Sequence, residues 1–536
     1  MTTLTAAAPL RTLTAPPDVF HVYDTTLRDG AQQEGLRLTV QDKLRIARAL
    51  DDFGVTFIEG GWPGANPNDT AFFAKAAAGE LELKNSTLVA FGATRKAGGK
   101  ASSDPLTRAL LDAQTPVITL VAKSHDEHVF RALNTTLEEN LAMVSDTVKF
   151  LTSEGRRVFV DCEHFFDGFR ANSDYALEVV RTAADAGAEV AILCDTNGGM
   201  LPSWMTEVVS AAGQVGVDLG IHCHNDTGCA VANTLAAVDA GVMHVQGTIN
   251  GHGERTGNAD LITTVANLQL KYGWSLLPTG GLEKATTVSH AVAGITHVQV
   301  NSRQPYVGQS AFAHKAGLHA SAIKVDANLY QHTDPRLVGN DMRMLVSDMA
   351  GRANIQLKGS ELGYDIADRE LAARVTDTVK QREMEGYSYE SADASFELLL
   401  REQLGLMEDP FEVQRWRVWT GDEVNEAGED SEAIVKVSAK GRTQALAGEG
   451  QGPLNALDQA LRSALTVPYP PVESFELVDY RVRILDQGHG TDAIVRALLD
   501  MTDGTRTWTT VGVGTNVIEA SWEALMDAYR WGLIER

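Results

Sequence analysis

VFHVYDTTLRDG, residues 19–30, is a β-rich apolar run that ends in a cluster of polar residues, and the same figure returns seven more times before residue 251. The later runs are TFIEGG (56–61), TLVAFG (87–92), VITLVA (117–122), RVFVDCEHF (157–165), EVAILCD (189–195), DLGIHCH (218–224) and HVQGTIN (244–250). Helical patterns lie between them. QDKLRIARALDDFG (41–54) sets Leu44, Ala47 and Leu50 at helical spacing, and TTLEENLAMVSDTVKFLTSEG (135–155) and YALEVVRTAADAG (175–187) both end in glycine, a common helix stop. Strand and helix alternating in this way predict a parallel sheet. Eight pairs in about 250 residues match a closed (β/α)8 barrel. The alternative, an open doubly wound sheet, usually begins with a glycine fingerprint that is missing here.

A barrel predicts where chemistry sits, because catalytic residues gather at the C-terminal ends of its strands. The unusual polar residues fall there. The first strand runs into DTTLRDG (24–30), the fifth into Glu163, the sixth into CDTNGG (194–199), the seventh into HCHND (222–226), and the eighth leads to GHGERTGNA (251–259). His222 and His224 are two apart, so strand pleat points both to one face. Two imidazoles aimed at one spot suit a metal; two interior polar residues bonded to neighbours is the plainer alternative. Barrel closure brings Asp29 and Asn258 beside them. Two nitrogens with carboxylate and amide oxygens fit a divalent ion such as Mg, Mn or Zn with open positions. Arg28 can bond an oxyanion that also touches the metal, or form a salt bridge at the barrel end. Glu163, among aromatics in CEHFFDGF, is a candidate base or acid whose pKa burial would raise; a buried glutamate paired with a barrel cation is the plainer alternative. Thr196 and Asn197 can bond a substrate carboxylate or serve the turn alone.

Around this core the chain is acidic. Lys and Arg number 46 against 71 Asp and Glu, a net charge of −25. Such a surface repels phosphate backbones and anionic lipid, so neither nucleic acid nor a membrane is expected as a partner. No apolar run is long enough to span a bilayer. Four cysteines without a C-x-x-C pair cannot staple 536 residues, which fits a reducing cytoplasm. Residues 1–18 lack the basic start and apolar stretch of a signal peptide and read as a disordered tail. The expected organisation is a barrel over 19–275, helical linker subdomains over 276–395 and a C-terminal α+β domain over 396–536. In the last, AIVKV (433–437) recurs as AIVRA (493–497), and GEGQGPLNALDQAL (448–461) recurs as GVGTNVIEASWEAL (512–525), which predicts two copies of a strand–strand–helix unit. The GEGQGP glycines do not open an evident βαβ unit, which argues against a nucleotide loop.

DTTLRDG, HCHND and GHGERTGNA together resemble the Claisen-condensing branch of the DRE-TIM metallolyases, which includes the 2-isopropylmalate, homocitrate and citramalate synthases. The likeness runs from about residue 19 to the end. IEGGWPGANPND (58–69) and DCEHFFDGF (161–169) further resemble the citramalate-forming group. The resemblance implies metal ligands at Asp29, His222, His224 and Asn258, Arg28 against a keto oxygen, Thr196 near a keto-acid carboxylate and Glu163 as a catalytic glutamate. AHKAGLHASA (313–322) and ANLY (327–330) resemble segments that supply a catalytic histidine and tyrosine, here His319 and Tyr330. The family often has Asp two residues after that histidine; this chain has Ser321. The resemblance further implies a 2-keto acid and acetyl-CoA as substrates, a homodimer in which His319 and Tyr330 are laid over the partner's barrel, and an amino-acid effector, isoleucine, at the C-terminal domain. A dimerisation role alone is the plainer alternative there. Rival readings are an isopropylmalate or homocitrate synthase, a hydroxymethylglutaryl-CoA lyase, and an amino-acid-binding regulator with an inactive barrel. The residues that grip CoA stay undefined; Arg95 and Lys96 are as well explained by a solvated surface.

Overall fold

The structure is a computed structural model that describes residues 19–421, 428, 430–485 and 493–534; the tail over 1–18 lies outside them. Eight parallel strands close into a barrel in chain order: β1 His21–Asp24, β2 Phe57–Glu59, β3 Thr87–Ala93, β4 Val117–Lys123, β5 Arg157–Glu163, β6 Val190–Asp195, β7 Asp218–Cys223 and β8 His244–Gly247. β1 pairs with both β2 and β8, which closes the ring. The (β/α)8 expectation therefore holds and the open sheet is set aside. Four of the eight runs stop earlier than their sequence suggests, at Glu59, Glu163, Cys223 and Gly247. HF (164–165) leaves β5: His164 turns to φ 58 and a helix begins at Phe165. TIN (248–250) curls into a 3-10 turn after β8.

Period-two pleating sorts the strand side chains. One set faces outward and packs under the helices, as with Val22, Ile58, Ile118, Val160 and Ile221. The other fills the interior, where Tyr23, Phe57, Val89, Val117, Phe159, Val190, Ile192 and Cys194 make one apolar cluster. The first barrel helix, Val40–Phe53, shows why helices fall where they do. Thr39 and Asp42 cap each other at its start, Leu44, Ala47 and Leu50 are buried on its inner face, and Gly54 ends it at φ 96.

The described chain divides into two compact units, one holding the barrel up to Phe312 with Thr333–Asp341, the other Ala313–His332 and the chain from Met342 onward. In the second unit β9 (Ala313–His314) pairs in parallel with β10 (Arg343–Met344). Helices Arg352–Glu361, Arg369–Met384 and Asp393–Gln403 follow, packed around Ile355, Val375, Val379 and Phe396. The last part consists of two antiparallel three-stranded sheets, each followed by a helix. They are β11 (Phe411–Thr420), β12 (Ser431–Ala439) and β13 (Arg442–Gly450) with helix Pro453–Leu465, then β14 (Glu476–Ile484), β15 (Val495–Thr502) and β16 (Thr507–Gly514) with helix Val517–Gly532. The internal repeat is real, but its unit is three strands and a helix, not two strands and a helix. The first strand of each copy, β11 and β14, lies outside the repeated motifs, and β14 is exposed along its whole length, so it carries no in–out alternation. The matched glycines have a packing role. A Cβ at Gly448 would lie 2.4 Å from the Ala460 nitrogen, and one at Gly512 2.1 Å from the Ala520 carbonyl oxygen. They let each helix lie directly on its strand, which explains the glycine run without a nucleotide.

Candidate metal and substrate centre

DTTLRDG builds one wall of the site. The Thr26 amide and hydroxyl donate to the two oxygens of Asp24, each at 2.8 Å, and the Ile249 amide donates to Thr26 Oγ1 at 2.8 Å, which ties the loop after β1 to the loop after β8. Burial pushes the Asp24 carboxyl up to about 7 even against those donors. The amides of Arg28, Asp29 and Gly30 then all turn back onto the Thr25 carbonyl. That turn buries Leu27 and aims Arg28 and Asp29 over the barrel mouth.

Arg28 is held from three sides. Nε donates to Glu59 Oε2 at 2.6 Å, Nη1 to Asp29 Oδ1 at 2.9 Å, Nη2 lies 3.9 Å from Asp161 Oδ2, and the guanidinium sits 4.0 Å over the Phe91 ring. Burial works against its charge, but Glu59, Asp29 and Asp161 outweigh it and move the group further up from its ordinary value. Glu59, with no exposed surface, also receives the Tyr23 hydroxyl at 2.6 Å and the Thr25 hydroxyl at 2.5 Å.

Asp29 Oδ2 lies 3.3 Å from His222 Nε2 and 3.5 Å from His224 Nε2. Burial alone would raise the Asp29 carboxyl, yet Arg28 and then His222 hold it well below the usual range. Burial pushes His224 down to about 4, helped by His222. His222 goes the other way: burial lowers it, and contact with Asp29 more than restores the charge. Asn258 is brought in by the loop after β8, which bonds to the loop after β7: Asn225 N donates to Gly257 O and Ala259 N to Cys223 O, both at 2.9 Å. Gly257, at φ 85, makes this possible, since a Cβ there would meet the Gly251 oxygen at 1.9 Å. Asn258 Nδ2 donates to the His252 carbonyl at 3.1 Å, while Asn258 Oδ1 and Asp29 Oδ2 are buried with no hydrogen-bond partner among the described residues. Asp29, His222 and His224 present ligand atoms within 4.8 Å of one another. Two bare oxygens beside two imidazole nitrogens are a donor set that fits a divalent cation.

One expected result follows from the His222 proton. In the cation-free site it shares the space beside Asp29 that a cation would take. Cation affinity should stay level at high pH and fall about tenfold per unit once pH drops below the raised His222 value, with one proton released per ion. His224, at about 4, adds a second proton only in strong acid. Calorimetric titration in buffers of differing ionisation enthalpy measures both. An affinity that does not change with acidification would contradict this.

The mouth above these groups is a cavity of about 200 Å³ lined by Arg28, Asp29, Trp62, Phe91, Asp161 and Glu163, among others, with Thr196, His222 and His224. Thr196 Oγ1 accepts the His164 amide at 2.9 Å, which leaves its hydroxyl proton to donate elsewhere. Glu163 reaches the cavity with its side chain about a quarter exposed rather than buried among the aromatics, and it is ion-paired with the barrel cation Lys123 at the end of β4. Asn197 donates to Asp167 at 2.7 Å and is not among the lining residues. Arg95 is neither solvated nor available. It is buried and bonded to Glu139 and Asp146, each at 2.7 Å. His319 and Tyr330 belong to the second unit, where their rings stack 4.1 Å apart. Ser321 spends its hydroxyl on the Gly317 carbonyl one helical turn back, at 2.8 Å. Sequence reasoning passed over Glu59, Lys123, Asp161 and Gln246. Each is a polar residue with inward parity inside an otherwise apolar run, and that is the signal that would have found them.

Comparison with known proteins adds three family matches along the chain: HMGL-like over residues 19–290, homocitrate synthase post-HMGL domain-like over 306–386, and the LeuA allosteric (dimerisation) domain over 390–532. The chain is 62% identical over 520 residues to the (R)-citramalate synthase of Streptomyces coelicolor, covering 96% of this chain and 97% of that one. It is 47% identical to the (R)-citramalate synthase of Aquifex aeolicus, covering 96% and 98%, and 46% identical to that of Synechocystis sp., covering 96% of each. Among the described residues no helix is long and apolar enough to cross a membrane.

Proposed function

The chain belongs to the HMGL-like family, and on that premise we propose that it is an acyltransferase that condenses acetyl-CoA with pyruvate and hydrolyses the thioester, giving (R)-citramalate and CoA. The observation that carries this reading is the meeting of two bare oxygens and two imidazole nitrogens with Arg28 at the floor of a cavity of about 200 Å³. That volume is below the roughly 300–1,000 Å³ of sites for drug-sized ligands, so it suits a short keto acid. Asp29, His222, His224 and Asn258 would hold a divalent ion, Mg, Mn or Zn. When bound, the ion supplies Lewis-acid polarisation of the keto acid's carbonyl.

The chain's own residues supply the rest. Arg28 donates N–H to the keto oxygen and stabilises the negative charge that grows there as the new C–C bond forms. The Thr196 hydroxyl donates to the substrate carboxylate. Glu163 and, from the second copy of the chain in the homodimer, His319 are the proton carriers: one removes a proton from the acetyl methyl, and one activates the water that cleaves the thioester, with Tyr330 stacked on His319. Trp62 and Phe91, edge to face at 5.3 Å, wall the cavity against longer keto acids. One methylene is worth about 1–3 kcal/mol there. Trp62, Arg28 and Gln32 also line an adjoining cavity of about 460 Å³, which we assign to the acetyl-CoA arm.

In the C-terminal domain a cavity of about 440 Å³ has apolar walls from Leu454, Leu477, Val517 and Ile518, with Asn455 and Asp458 at hand. We assign isoleucine to this domain as an inhibitor and a homodimer to the whole chain. This fits an enzyme of isoleucine synthesis in the cytoplasm, and all four cysteines are unpaired.

The test is release of free CoA from acetyl-CoA with pyruvate, 2-ketoisovalerate or 2-ketoglutarate, before and after chelation. Pyruvate turnover should exceed the others and should fall to background on chelation. Preference for a longer keto acid would replace the substrate, and full activity after exhaustive chelation would remove the mechanism. Titration with isoleucine and with leucine tests the effector; no inhibition by either removes it.

A further inference from the structure

We propose that Gln246 is a positioning residue: its buried amide fixes the neutral His222 ring in the tautomer that leaves Nε2 bare toward Asp29. The inference rests on the reading of Asp29, His222, His224 and Asn258 as a cation site.

Gln246 lies on β8 directly beside His222 on β7, is 1% exposed, and points into the barrel. Its Oε1 is 2.7 Å from His222 Nδ1. Its Nε2 is 3.1 Å from Asp161 Oδ1 and 3.3 Å from His244 Nε2. An amide has donors only on nitrogen, and an ionised carboxylate only accepts. At alkaline pH, where Asp161 is ionised, it therefore sets the amide with N–H toward itself and oxygen toward His222. Oxygen there requires a proton on His222 Nδ1, so in the neutral ring Nε2 carries none. The same rule runs down the barrel. His244 accepts at Nε2, keeps its proton on Nδ1, and donates it to His21 Nδ1 at 3.3 Å. The floor of the site is thus a chain of side chains with one direction of donation. If the acceptor at Gln246 is lost, the proton is able to sit on His222 Nε2, where its N–H points at Asp29 and occupies the ligand position.

Two variants separate this from a packing role. Gln246→Met keeps length and removes both polar atoms, and Gln246→Glu keeps an acceptor. In metal-free, histidine-15N-labelled full-length protein at alkaline pH, with His222→Asn used to assign the signal, His222 should show the Nδ1–H tautomer. Gln246→Met should shift it toward Nε2–H and weaken Mn(II) binding about 10–100-fold, while Gln246→Glu should retain affinity to within about threefold. An unchanged tautomer and unchanged Mn(II) affinity in Gln246→Met would overturn the inference. If that variant does not fold, an Nε2–H signal for His222 in wild type or in Gln246→Glu overturns it equally. Wild-type protein that fails to bind Mn(II) at all, yet shows the Nδ1–H tautomer, overturns the cation reading instead.

Discussion

Arg28→Lys is expected to lower kcat/KM for the pyruvate reaction by about 10²–10³-fold, the usual cost of losing one preorganised donor to a developing oxyanion. The charge is conserved, so the loss must come from geometry. The guanidinium reaches Glu59 through Nε, Asp29 through Nη1 and lies near Asp161 through Nη2, all in one plane over Phe91. A lysine ammonium is a point donor on a flexible stem and cannot keep those partners while offering a further N–H in a fixed direction. Because Asp29, His222, His224 and Asn258 are untouched, Mn(II) affinity should change little. The two readouts together identify the effect: a fall in turnover with the cation retained. Turnover close to wild type in Arg28→Lys would mean that the keto oxygen is not held by this side chain.

The fold was legible because its evidence is local. Period-two runs, glycine stops and polar strand ends are each read within a dozen residues, and His222, His224 and Asp29 need only that information plus the closure of a ring. The missed parts depend on partners far away in sequence. Glu59 matters because Tyr23, Thr25 and Arg28 converge on it across the β1–β2 pair. Glu163 looked buried among aromatics, but Phe165 and Phe166 leave with the next helix, and Lys123 from the neighbouring strand faces the carboxylate. Arg95 looked like surface because no sequence rule brings Glu139 and Asp146 to it across the following helix. β14 was missed for the opposite reason, since a strand with no buried face leaves no periodic trace.

Glu59→Gln should produce the largest loss of stability of any single change near the site. Removing one partner of a buried ion pair costs about 3–5 kcal/mol, because the remaining charge stays buried without compensation. Here the neutral amide also returns only one acceptor for the Tyr23 and Thr25 hydroxyls and Arg28 Nε, which now share two carboxylate oxygens. For a barrel of this size, that corresponds to a drop in the thermal midpoint on the order of 10 °C. Activity should fall with it, since Arg28 loses the contact that fixes its plane. The decisive comparison is the double variant Glu59→Leu with Arg28→Met, which removes both charges together. Replacing a whole buried pair with apolar side chains is often close to neutral, so the double variant should recover much of the midpoint while remaining inactive. A double variant no more stable than Glu59→Gln would show that the Tyr23 and Thr25 hydrogen bonds, or the contacts of Arg28 with Asp29 and Asp161, hold this end of the barrel more than the Glu59–Arg28 pair does.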